Sequence, residues 1–466
     1  MVFFFFINKK MNWLIFFLFF IIIFFIFFFF YGVRDVVNKI RFWLLINVSI
    51  PAIVKVLSHL QGCMYKLDSK FMKVLNEIDN EAELPEGLSK KITIVGRVDM
   101  RMRLDKRISS DNKKYTASLS MMAAKLSYEL KDVVKFVLTK YWKMDNPLVL
   151  SLWKENQTSK TQAIMFNDKK ANLIVVAFRG TNSLDAGALI TDIESELYEI
   201  KGHKKMEGRA HLGFMKALGL KKGLDWPKPE EITDVGYLSQ HPAYYEIRER
   251  LRKQLLEDEE GKTKFIVTGH SLGGALAILF VGLLGYHEDT LLLEKMEGVY
   301  TFGQPRVGDD KFKDFMNSTI KKYGVKYLRY VYSNDVVTRV PFDVQIYPYK
   351  HFGESYIYFD CFYRGRVESE EINKNYFALR WLIPSYLIAI CELIRSFAIH
   401  HIDAYGGDYK EGWLMITLRL LGLYFPGLSA HTPQDYVNIS RLEISPPRSN
   451  SNRLFKRGML AIIASF

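Results

Sequence analysis

The twenty-one residues from Lys264 to Leu284 read KFIVTGHSLGGALAILFVGLL, and they constrain the fold more than any other stretch. The continuous apolar run Phe265 to Thr268 fits a strand buried on both faces. From Gly273 to Leu284 the sequence is rich in Ala and Leu and has no proline, which predicts a helix. Strand and helix are joined through Gly269-His270-Ser271-Leu272-Gly273. Such a junction must bend sharply, and the small residues on each side of Ser271 leave the backbone room to do so. The bend projects the Ser271 hydroxyl into the open, where the first N–H groups of the helix and its dipole favour negative charge.

The rest of the chain repeats this alternation. Leu173–Phe178 (LIVVAF), Val299–Phe302 (VYTF) and Tyr327–Tyr332 (YLRYVY) predict further strands, and the charged stretch Asp309 to Lys322 predicts a helix between the last two. Tyr115 to Leu130 has the Ala, Met and Leu pattern of a packing helix. Strands alternating with helices predict an α/β fold with a mostly parallel sheet and crossover helices.

The pattern G-x-S-x-G between a strand and a helix marks Ser271 as a candidate nucleophile. A serine needs a base, and the base needs an acid to orient it. In this strand–turn–helix context the partners follow in the order Ser, Asp or Glu, His. Asp335 lies just past the predicted strand YLRYVY, where a loop acid belongs. Asp343 and Asp360 are weaker rivals because no strand delivers them so clearly. For the base, His431 sits in the loop Ser429-Ala430-His431-Thr432-Pro433, while His351, His400 and His401 also follow Asp335. Position alone leaves that choice open. An oxyanion hole requires preorganised donors. The backbone N–H of Leu272 is one candidate. Thr181, in Phe178-Arg179-Gly180-Thr181, is the other, against a simple turn at Gly180.

The chain carries 64 Lys plus Arg against 51 Asp plus Glu, a net charge of +13. That balance favours anionic surfaces. With no zinc-finger or RNP pattern, a membrane or lipid surface is the expected partner and nucleic acid is not. Part of the excess is local, at Lys90, Lys91, Arg97, Arg101, Arg103, Lys106 and Arg107. Three dispersed cysteines, Cys63, Cys361 and Cys391, give neither a disulfide framework nor a zinc spacing.

Residues 1–60 form an apolar extension. Trp13 to Tyr31 is uncharged and long enough for a transmembrane helix candidate, without the small-residue cleavage site of a removable signal. Fourteen of the 34 phenylalanines fall in the first 30 positions. A Phe/Ile tract is also what thymine-rich noncoding sequence encodes, so anchor and incidental leader are both open readings. Residues 61–114 read as linker and basic stretch, 115–445 as the catalytic domain, and 446–466 as a tail. Within the domain, an insertion over 375–428 is strongly apolar but broken by Arg380, Pro384, Glu392 and Arg395. Those charges argue against a simple span. A segment lying in a lipid surface and a helix packed on the core both fit.

The motifs AFRGTNS, GRAHLGFMKALGL, TGHSLGGALAILF, VYTFGQPRVGD, YSNDVVTRVP and AHTPQDYVN together resemble the class 3 lipase family, in particular the plant oil-body triacylglycerol lipases. The similarity runs from about Tyr115 to about Ser440. It implies an α/β-hydrolase-type fold with Ser271, Asp335 and His431 in the triad positions and Thr181 and Leu272 in the oxyanion positions. It places a lid at Asn182 to Asp192, as in fungal relatives. The implied chemistry is ester hydrolysis on neutral lipid at a lipid-droplet surface, reached by way of the endoplasmic reticulum membrane, with no metal or organic cofactor. Two other readings remain open on sequence: a phospholipase A1 acting on membrane glycerolipids, and a non-enzymatic signalling scaffold on the same fold. The resemblance fails over the first hundred residues.

Overall fold

The computed structural model divides the chain into two units at Asp68/Ser69. The structure describes residues 84–152, 161–180, 197–199, 208–218, 243–341, 343–344, 347–372, 379–399, 409, 411–424 and 426–445. The N-terminal apolar extension, the expected lid, Thr181, His400, His401 and the tail lie outside the described residues. No helix among the described residues is long and apolar enough to cross a membrane.

The second unit is built on a nine-stranded sheet in which every strand lies beside its neighbour in sequence. Its strands are β1 (Asp145–Leu152), β2 (Thr161–Asp168), β3 (Leu173–Phe178), β4 (Lys264–His270), β5 (Met296–Phe302), β6 (Lys326–Tyr332), β7 (Tyr356–Phe359), β8 (Gly365–Glu368) and β9 (Ile444–Ser445). β1, β2 and β3 pair antiparallel. β3 through β7 form the parallel block. β8 returns antiparallel to β7 and pairs parallel with β9. This is the mostly parallel α/β sheet the alternation of strands and helices predicts.

All six residues of β3 are buried, because helices cover both faces of the sheet. Ile174, Val176 and Phe178 point to one core and Leu173, Val175 and Ala177 to the other, following the two-residue period of a strand. The first core takes the helices α2 (Ala243–Leu256), α3 (Leu272–Tyr286) and α4 (Asp310–Tyr323). α3 is apolar all round because it is buried on nearly every side. Its Gly282 and Gly285 let α4 come close, with Met316 and Thr319 filling the space a side chain would take. The second core holds α1 (Tyr115–Leu126), residues 84–142, and α7 (Pro433–Ile439).

From residue 84 onward the stretch read as linker and basic surface is packed structure. Leu84, Ile92, Val95, Val98 and Met102 are buried. Trp142 donates its indole N–H to the Met102 carbonyl at 2.7 Å. Several of its cations are engaged within the molecule. Arg101 pairs with Asp99 at 2.8 Å, reaches Asn438 Oδ1 at 2.7 Å and stacks on Tyr409. Lys91 pairs with Asp132 and Arg107 with Asp105. Alternating charge within one segment looks solvated in sequence, whereas here partners as far away as Asn438 satisfy it.

The insertion contributes α5 (Leu379–Ala398) and α6 (Trp413–Tyr424), which pack against each other.

Candidate active site

Ser271 sits between β4 and α3 with φ 59° and ψ −131°, a backbone region that non-glycine residues avoid at a cost of about 1–3 kcal/mol. The neighbours explain how the turn closes. A Cβ on Gly269 would lie 2.2 Å from the Gly273 carbonyl, and one on Gly273 would lie 2.2 Å from the Phe178 carbonyl at the end of β3. The two glycines of the motif are therefore close-contact positions, and no other residue type fits without displacing backbone. The turn is tied to β5 by Ser271 N–H donating to the Phe302 carbonyl at 2.9 Å. Leu272 and Gly273 begin α3, so their N–H groups have no acceptor within the helix.

Asp335 follows β6 and is fully buried. Its Oδ1 accepts from Val337 N–H at 2.8 Å. Its backbone carbonyl accepts from the Arg339 guanidinium. Oδ2 faces His431 Nδ1 at 2.8 Å and also accepts the Tyr436 phenol proton at 2.5 Å. The Tyr436 oxygen in turn accepts from Tyr332 N–H at 3.2 Å. Burial first, and the carboxylate second, push the Tyr436 phenol well above its ordinary range, so it stays a donor.

His431 lies in a short 3-10 turn, Ser429–His431, that leads into α7. With Nδ1 given to Asp335, its Nε2 is buried and has no hydrogen-bond partner among the described residues. Such an imidazole is oriented by an acid on one side and free to take a proton on the other. The bond from Ser271 Oγ to Nε2 is not formed. In unliganded sites this contact is commonly loose and tightens with substrate.

His270, the residue before the serine, links the two halves of the site. Its ring stacks on His431 with centroids 4.7 Å apart. Its Nε2 lies 3.0 Å from the His431 carbonyl and its Nδ1 lies 2.8 Å from the Tyr128 hydroxyl. A carbonyl only accepts, so Nε2 carries the proton. Burial holds His270 well below the ordinary histidine range, with nearby His431 adding to the effect. The ring is therefore neutral, and bare Nδ1 accepts from Tyr128. Gly303 completes the enclosure at φ +60°, where a Cβ would lie 2.9 Å from both Asp335 Oδ2 and His431 Cε1.

The structure thus brings Asp335 and His431 into direct contact, with Ser271 adjoining through His270 and Phe302. Of the rivals, His351 is spent on the Thr338 carbonyl at 2.8 Å, and Asp360 caps its own turn through Phe362 and Arg364 N–H. Asp343 lies in a two-residue strand paired with Tyr347–Pro348. Thr181 falls outside the described residues. Sequence reading passed over His270, Tyr436, Gly303 and Tyr128. Only the first three had a signal, since they stand inside the quoted motifs. Among the described residues no group of His, Cys, Asp and Glu is placed to hold a metal ion.

A family model described as Lipase (class 3) matches residues 175–345. Triacylglycerol lipase OBL1 of Nicotiana tabacum is 35% identical, over 81% of this chain and 77% of that protein. The chain belongs to the class 3 lipase family. Triacylglycerol lipase OBL1 of Arabidopsis thaliana is 40% identical over 70% of this chain and 64% of its own length, so the chain spans just under two thirds of that relative. Among solved structures, lipase II from Rhizopus niveus is 26% identical, covering 53% of this chain and 78% of its own, with a TM-score of 0.36. As a class 3 lipase, the chain carries its family match over the Ser271 and Asp335 segments, while His431 and Tyr436 lie beyond residue 345.

Proposed function

We propose that this class 3 lipase hydrolyses triacylglycerol at a lipid–water boundary, with Ser271 as nucleophile, His431 as base and Asp335 as the orienting acid. The observation that carries the proposal is the 2.8 Å contact between His431 Nδ1 and Asp335 Oδ2, with Nε2 left free beside the strained Ser271 turn. Ser271 Oγ attacks the ester carbonyl while His431 Nε2 takes its proton. The C–O bond to the glycerol oxygen breaks and His431 returns the proton to that leaving group. Water, deprotonated by His431, then releases the fatty acid and restores Ser271. Leu272 N–H is proposed as one oxyanion donor. Thr181 is proposed as the other from its place in AFRGTNS. The names of the plant relatives favour triacylglycerol as substrate. The lipid-droplet surface as the site of action is proposed from the sequence resemblance, and residues 1–60 as an anchor to it from the uncharged apolar run Trp13 to Tyr31.

Labelling with a fluorophosphonate probe tests the mechanism. Wild type should be labelled and Ser271→Ala should not. Hydrolysis of a soluble short-chain ester by Ser271→Ala at the wild-type rate overturns the assignment. Release of fatty acid from phosphatidylcholine in preference to triolein would replace the substrate with a membrane glycerolipid.

A further inference from the structure

The helices α5 and α6 are built inside out. Among their described side chains three are charged, Glu392, Arg395 and Arg419, and all three are buried. Arg395 donates to Asp435 Oδ1 at 3.1 Å, and Arg419 donates to Asp435 Oδ1 at 2.8 Å and to Glu411 Oε1 at 3.0 Å. Glu392 Oε2 lies 3.4 Å from Arg419, and Ser396 donates to Glu411 at 2.5 Å. Tyr363 adds a fourth donor to the cluster, onto Asp435 at 2.7 Å. Burial pushes the Glu392 carboxyl above its ordinary range, which fits three acids facing two arginines.

The opposite face of α5 is apolar and open to solvent. Ile383, Tyr386, Leu387, Ile390, Ile394 and Phe397 recur at helical spacing, with Ile383 71% and Phe397 59% exposed. From Ile383 to Phe397 the stripe runs roughly 21 Å at the helical rise, and Leu420 of α6 is also exposed. A helix that packs on a core turns its apolar face inward and its charges out. Here ion pairs hold the helix down, and the apolar face is left over.

We propose that this outward face of α5, with Leu420, is the surface on which the enzyme lies against the hydrocarbon of a phospholipid-coated drop of neutral lipid. The proposal rests on the functional reading above for the nature of the substrate. Two features of the structure select that occupant. Neither helix presents a described charge to the outside, so the face matches hydrocarbon and not anionic headgroups. The same pair of helices also holds the catalytic base: α6 packs on the turn Ser429–His431, and the cluster grips Asp435, four residues after His431. A surface seated on α5 is therefore coupled, through α6 and Asp435, to the segment that carries His431.

The test places a polarity-sensitive fluorophore at position 394, as Ile394→Cys with Cys63→Ser and Cys391→Ser, in the full-length protein. The probe surfaces are triolein emulsion coated with phosphatidylcholine, and phosphatidylcholine vesicles alone. On the emulsion the emission should shift to the blue and become shielded from aqueous iodide, with a weaker response on vesicles. In parallel, Ile390→Glu with Ile394→Glu should lower emulsion hydrolysis about a hundredfold while leaving a soluble ester untouched. A fluorophore that stays in water on the emulsion overturns the proposal, even if residues 1–60 keep the protein bound. An equal response on vesicles moves the occupant to a bilayer and also overturns it. So does a wild-type dimer that the two glutamates dissociate without loss of emulsion hydrolysis, since a second copy then covers the face. Failure of wild type on the soluble ester would instead sink the functional reading, with the fluorophore result still standing.

Discussion

Tyr436 and His431 share one oxygen of Asp335: the phenol donates at 2.5 Å and the imidazole lies at 2.8 Å. They stand five residues apart on a turn and the helix that follows it, so one segment supplies both the proposed base and a second donor to Asp335. Tyr436→Phe should lower kcat on a soluble ester about tenfold with KM unchanged, equivalent to about 1.4 kcal/mol at the transition state. It also leaves the Tyr332 N–H without its acceptor, a loss of about 1–3 kcal/mol in stability. Steady-state kinetics and denaturant melts on the one variant check both. An unchanged kcat would mean the shared oxygen does not matter to the base.

His431→Ala should remove at least about 10³-fold of kcat, because members of such a triad act as a unit. The fold should persist, as Asp335 keeps its bonds from Val337 N–H and the Tyr436 phenol. His351→Ala should retain activity by comparison, its ring being committed to Thr338. The opposite pattern in the two variants would relocate the base.

Gly303→Ala should be inactive and less stable. The new Cβ would press on Asp335 and His431 at 2.9 Å, and φ +60° adds about 1–2 kcal/mol for any side chain there. A crystal structure or a fluorophosphonate rate of the variant tests this. Labelling within twofold of wild type would show that the acid–base pair tolerates a shift of several tenths of an ångström.

The ion cluster behind α5 gives a stability prediction. Arg419 is wholly buried and bonds both Glu411 and Asp435. Arg419→Met leaves buried carboxylates uncompensated, which costs about 3–5 kcal/mol. Urea melts should show that loss. A change under 1 kcal/mol would mean the acids are neutral and the pairing adds little.

Three buried histidines fix a pH dependence. Burial lowers His211 to about 4 and His351 to about 3, and holds His270 well below the usual range. Above pH 6.5 both folded and unfolded states carry these rings neutral. Below it the unfolded chain binds protons that the folded chain refuses, so stability falls with pH by up to about 1.4 kcal/mol per unit for each ring. Burial opposes ionisation of Glu371, but Arg306 and Arg329 hold it down at about 2, so it adds its own loss only below about pH 4.5. Unfolding free energies between pH 7 and 5 carry the histidine contribution, and His211→Gln should flatten the slope by one ring. An unaltered slope would show that His211 titrates alike in both states.

The proposed catalytic constellation is legible in unequal parts. Ser271 announces itself because strand, bend and helix are contiguous and each leaves a local signature. Asp335 is readable from the apolar strand that ends just before it. His431 has no such marker, since a 3-10 turn after a long insertion carries it, and only the family resemblance singled it out. Glu392 and Arg395 were visible as breaks in an apolar run, but not the direction they face. Arg395 is turned inward by Asp435, forty residues away, and Glu392 by Arg419, and pairing over such distances leaves no local pattern. The same holds for Arg101, whose partner Asn438 lies 337 positions on.

The late position of His431 has a consequence for the living chain. The proposed nucleophile Ser271 and its acid Asp335 leave the ribosome well before the proposed base. Synthesis runs at about 5–20 residues per second, so Ser271 exists for roughly 8–32 s before His431 is made. The Asn438 amide, which receives Arg101, arrives later still. A nascent or stalled polypeptide ending short of this point holds a serine without its proton acceptor. On the proposed triad, hydrolysis therefore waits for the segment that carries His431.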